Sequence, residues 1–242
     1  SALSAGALEG LDADRAQALS STQVGALTTG QLTTLTTDQV ATLGSDEAAG
    51  LKSAQLSALS TDSLQALGTQ AVGALTTAAL RGLSAAQFGS LTTDQLQSLT
   101  TSQAASLVTA QVRGLSSAQV DSLESQDLDS LSTAVVASLG TAALAGLDDG
   151  QLGGLTSTQV GSLTTQQIQS LTTDQLAGLG SDEGAGLKAA QLSALSTTSL
   201  QALSTDALGA VSTDALKGLS STQFGALTTD QVVALTTSQA KA

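Results

Sequence analysis

From Leu3 to Leu235 every eighth residue is apolar, Leu throughout except for Val211, with no insertion in thirty consecutive octads. A second apolar residue stands at the sixth place of each octad, as Leu, Val, Ile, Phe or Ala everywhere but Gly184. The two are five residues apart, which on one continuous helix sets them about 140° from each other and on a regular strand puts them on opposite faces. Neither periodic structure can bury both, so the backbone must break once in every octad.

The place of the break is written in capping residues. In LTTDQLQSL, starting at Leu91, Thr92 and Gln95 have the spacing of a capping box, in which each side chain satisfies the other residue's free backbone N–H. Leu91 then precedes the cap and Leu96 lies four places inside the helix, the two positions of a hydrophobic staple. The same arrangement recurs with Thr172 and Gln175 between Leu171 and Leu176, and with Thr228 and Gln231 between Leu227 and Val232. These six polar residues are the expected caps and the six apolar ones expected core. Asp38, Asp94, Asp174 and Asp230 fall in the first turn, where the helix dipole favours a carboxylate. Glycine at the eighth place, as at Gly82 and Gly146, is expected to let the chain leave the helix. The spacing therefore predicts an all-α solenoid of very short helices, one of about six residues per octad. A β-solenoid is the rival, since Thr, Val and small residues also suit stacked strands.

The eighth place is Ala, Gly, Ser or Thr in every copy, which predicts a neighbouring backbone pressed against it. One octad buries two apolar side chains worth ~2–3 kcal/mol each, while ordering its eight residues costs about 1.5 kcal/mol apiece. It cannot fold alone, and stacking of neighbours must supply the difference. Residues 1–242 thus read as a single continuous array. A longer phrase lies over it: LGSDEAAGLKSAQLSALSTDSLQAL from Leu43 returns 136 residues later as LGSDEGAGLKAAQLSALSTTSLQAL from Leu179. The super-repeat runs over 1–136, with 137–242 a partial second copy. The start at Ser1 suggests a processed product or fragment, and ends without polar terminal caps are expected to meet other copies.

Composition narrows the chemistry. His, Cys, Met, Trp, Tyr, Pro and Asn are absent, which removes the usual bases, thiol nucleophiles and aromatic platforms. No enzyme activity and no cofactor are expected. A net charge of −13 disfavours nucleic acid and anionic membranes, and no apolar run reaches the length of a membrane span. The triplets Ser45–Glu47 and Ser181–Glu183, with Asp148 and Asp149 ahead of Gly150, could suggest oxygen-ligand calcium sites, yet acids at helix starts are explained by the dipole alone. Lys52 and Lys188 replace the usual cap residue and read most simply as charge partners between adjacent helices. Phe88 and Phe224 are expected core. The paired threonines could also present a hydroxyl lattice.

The pattern L-[ST]-[ST]-x-Q-[LV]-x-[SAG] resembles the LTTxQVxAL-type repeat arrays of very large, low-aromatic bacterial proteins, often secreted and adhesin-like or RTX-like. The resemblance implies an extracellular or cell-surface structural element, although the glycine-aspartate nonapeptide of RTX calcium sites is missing here. Together these readings point to a non-enzymatic structural protein, an extracellular filament or adhesin stalk whose partners are other copies of itself, end to end or laterally. The alternative is a binding module that presents its Thr/Ser or acidic face to ice, glycan or mineral.

Overall fold

The computed structural model describes Arg15 and residues 17–241. Among these residues there are 28 α-helices, each four to six residues long, and no strand. The fold is all-α, a solenoid of short helices.

Each octad folds as the staple arithmetic requires. Thr172 is extended (φ −72°, ψ 164°), Thr173–Gly178 is helical, and Leu179 turns extended again (φ −65°, ψ 129°). The break between helices is therefore one or two extended residues, the leading Leu and the cap that follows it. The exit differs from the expectation for glycine. No described residue, glycine included, has a positive φ. Chains leave through Leu171 or Leu195 in an extended conformation, and the eighth-place glycines serve another purpose, packing.

The described residues form two compact units, divided between Leu115 and Ser116. Within the first, Ser21–Ala26 packs on Ser45–Ala49, which packs in turn on Thr69–Ala74. Within the second, Ser157–Val160 packs on Ser181–Gly186, and that helix on Thr205–Ala210. In both, a helix lies against the one three octads away, so the side chains of the first and sixth places meet along the interior. Leu91, Leu96, Leu171 and Leu176 are all buried.

Leu227 and Val232 depart from the expected core. Leu227 is half-buried and Val232 is 47% exposed. Phe224 departs likewise at 45%, whereas its counterpart Phe88 is fully buried. The helix carrying Phe88, Ala85–Gly89, packs on Thr109–Val112, three octads further on. For Phe224, Leu227 and Val232 no described helix stands three octads further on.

Candidate functional site

The structural chemistry of the array is concentrated at the fifth place of the octad. At Thr92 and Gln95 the capping box is reciprocal: the Thr92 N–H donates to Gln95 Oε1 at 3.0 Å and the Gln95 N–H to Thr92 Oγ1 at 3.2 Å. Thr172 and Gln175 repeat it at 3.0 and 3.1 Å, and Thr228 and Gln231 at 3.0 and 3.2 Å. This uses only half of the glutamine. The amide nitrogen of Gln95 donates backwards to Leu64 O at 2.8 Å and Leu67 O at 2.7 Å. Gln175 does the same to Leu144 O and Leu147 O, and Gln231 to Leu200 O and Leu203 O.

The acceptors lie 31 and 28 residues earlier, a sixth-place carbonyl four octads back and a leading Leu carbonyl three octads back. One side chain thereby caps its own helix and fastens two residues of the previous turn. These glutamines are almost wholly buried, Gln95, Gln103 and Gln167 at 2% each. A buried primary amide with a vacant donor would be costly, and here both halves are engaged. Capping logic alone foresaw the acceptor half. The donor half was missed, and its only trace in the sequence is that Gln outnumbers Glu at a place where either could close a capping box.

Two octads break the pattern with glutamate. Glu47 and Glu183 accept the N–H of Gly44 and Gly180 at 2.9 and 2.8 Å, so they cap their helices from buried positions. Their carboxylates face their own caps, while Lys52 and Lys188 are exposed. Neither lysine pairs with the glutamate of its triplet among the described residues, which corrects the expected charge partnership. Lys52 instead lines a shallow depression with Ser21, Thr22, Gly25 and Gly50, and Lys188 an equivalent one with Ser157, Thr158, Gly161 and Gly186. Among the described residues no group of three carboxylates is placed to hold a metal ion, and no helix is long and apolar enough to cross a membrane.

Asp148 caps its helix directly, its Oδ1 accepting the Gln151 N–H at 2.7 Å. The first-turn acids Asp38, Asp94, Asp174 and Asp230 are exposed. The expected squeeze on the eighth place is also present. A Cβ added at Gly146 would lie 2.5 Å from Ser117 Cβ and 2.9 Å from Ser117 O, and one at Gly218 would lie 2.7 Å from Ala189 O. Real Cβ atoms do not tolerate such approaches, so the backbone of the third place three octads earlier is the neighbour that keeps these residues small.

The hexapeptide Ala226–Gln231, ALTTDQ, gathers these parts in order: small eighth-place residue, leading Leu, cap, first helical residue, variable residue and amide clamp. The ALTTAQ repeat family model matches residues 72–101, 120–157, 150–188 and 208–237, more than half of the chain. The chain belongs to the ALTTAQ repeat family. No curated protein matches it. In the ALTTAQ octads of this chain, the motif's Gln is the residue through which one turn holds the next.

Proposed function

We propose that this ALTTAQ chain is a non-enzymatic structural array that serves as an extracellular filament or as the stalk of a surface adhesin. The observation that carries the reading is the glutamine clamp. A recurring set of buried side-chain amides is spent on joining one turn to the next, as at Gln175 with Leu144 and Leu147. An array built this way is extended by adding octads. Exposed Phe224, Val232 and Val233 offer an apolar patch on which another copy would stack.

Sedimentation over a wide concentration range, with negative-stain electron microscopy of the same samples, tests the filament form. Long uniform fibres are expected. A species that stays monomeric at every concentration would leave only the stalk.

A second reading has one observation in its favour. Thr93, Thr173 and Thr229 are exposed, and the caps of their helices are made by Thr92, Thr172 and Thr228 instead. Their hydroxyls are available to a regular surface such as ice or a crystalline glycan. Retention of the purified chain on such a surface, lost when these threonines become Val with helicity intact, would support it; absence of retention in the parent chain would end it.

A further inference from the structure

The third place of the octad is Ser or Thr even more consistently than the cap, yet capping does not require it. Its partner explains the choice. The third-place residue i packs beneath the eighth-place residue i+29, three octads on, as Ser117 does beneath Gly146 and Ser157 beneath Gly186. Across the chain the two identities are correlated. Wherever the third place is Thr and a residue i+29 exists, that residue is Ala or Ser, as in Thr133 with Ser162, Thr165 with Ala194 and Thr173 with Ala202. Wherever the eighth place is Gly and a residue i exists, that residue is Ser, Ala or Asp and never Thr, as in Ser21 with Gly50, Ser53 with Gly82, Ala85 with Gly114 and Ala189 with Gly218.

The geometry accounts for both classes. At Gly50, Gly82, Gly146, Gly186 and Gly218 the turns lie so close that a methyl group does not fit: a Cβ on Gly186 or Gly50 would overlap the backbone of Ser157 or Ser21, and one on Gly82 would meet Ser53 Cβ at 3.0 Å, whereas at Gly114 and Gly154 the third-place partner stays 3.6–3.7 Å away. At Thr133 the turns are further apart. Ser162 carries a whole hydroxymethyl group into the gap, and its Oγ donates to Thr133 O at 3.1 Å. A γ-methyl at the third place belongs with the wider spacing, and its loss with the closer one.

We infer that the i, i+29 pair is a size code that sets the local spacing between turns and holds the stacking register of the array. Near-identical octads could otherwise slip by one repeat at little cost, because nearly every octad offers the same leading Leu and many the same clamp. A one-octad slip would bring Gly186 to Thr165, Gly218 to Thr197 and Gly82 to Thr61, matching close-contact glycines with the residue they never face. Contacts too tight for a Cβ stand four octads apart at Gly50 and Gly82 in the first unit and at Gly186 and Gly218 in the second.

The test is a double-mutant cycle on the full chain with Ser117→Thr and Gly146→Ala, read by thermal unfolding and by amide exchange of the octads led by Leu115 and Leu139. Either substitution alone forces the turns to the wider spacing, so each is expected to lower the midpoint by several degrees. Once the turns are apart the second change meets no new clash, and the double variant should lose no more than the worse single one. Losses that add, or single variants that lose nothing, would overturn the size code. If a single variant does not fold, the opposite cycle decides: Thr173→Ser with Ala202→Gly should convert a wide contact to a close one, slowing exchange in the octads led by Leu171 and Leu195 beyond either single change. Faster exchange in that double variant than in both singles would equally overturn it.

Discussion

The amide nitrogen of Gln175 lies 2.7 Å from the carbonyl oxygen of Leu147, twenty-eight residues earlier in the chain, while the oxygen of the same amide accepts the N–H of Thr172 at 3.0 Å. A single buried side chain is at once a helix cap and an interturn bridge. Removing it affects both. Gln175→Ala should destabilise the second unit by about 2–4 kcal/mol, since two main-chain carbonyls lose their donor, a cap is lost and a cavity is left. Gln175→Glu should keep the cap and lose the bridge, with a carboxylate set among carbonyl oxygens. Amide exchange is the suitable measurement, because repeat arrays open locally as well as globally. Equal protection in Gln175→Ala and the parent would show that the bridge contributes nothing.

The cap can be separated from the bridge at the neighbouring residue. Thr172 Oγ1 accepts the Gln175 N–H at 3.1 Å from an exposed position. Thr172→Ala should cost about 1 kcal/mol and Thr172→Ser only a few tenths, the usual order for N-caps. Urea unfolding of the two variants side by side checks this, and a Ser variant as damaged as the Ala variant would mean that the methyl group matters more than the hydroxyl.

Much of this fold was legible in the octad itself. The five-residue spacing of Leu91 and Leu96 excluded a continuous helix and a flat strand, and Thr92 with Gln95 placed the break. The small eighth residue announced a close neighbour, found at Ser117 beneath Gly146 and at Ala189 beneath Gly218. What the octad could not disclose is which octads become neighbours, because that depends on how many of them complete a turn. Without it the backward reach of Gln95 to Leu64 was hidden, as was the correlation of residues 29 apart. The exit at Gly82 was misjudged for a related reason: a glycine that is small for packing looks, within one octad, the same as a glycine needed for a left-handed turn.

Phe88 and Phe224 occupy the same place in octads 136 residues apart, one fully buried and the other 45% exposed. Phe88→Ala should cost about 3–5 kcal/mol, as for other buried aromatics. Phe224→Ala should stay within about 1 kcal/mol of the parent in the isolated chain. If copies stack on Phe224 and its neighbours, that variant will weaken association while leaving monomer stability nearly unchanged, so unfolding and sedimentation should be run on the same preparation.

Glu183 tests the clamp by addition. It caps Gly180 as a glutamine would, yet a carboxylate has no N–H for the residues 28 and 31 positions earlier, Leu155 and Leu152. Its surroundings otherwise follow the pattern of Gln175 and Gln191, whose amides each bridge two carbonyls of the preceding turn. Glu183→Gln keeps the cap acceptor, adds two donors and removes a buried charge. It should stabilise the second unit by about 1 kcal/mol, with slower exchange at Leu155 and in Ser181–Gly186. The corresponding change at Glu47 should act in the same direction on the first unit. A destabilised Glu183→Gln variant would show that the carboxylate contributes something at this octad that an amide cannot supply.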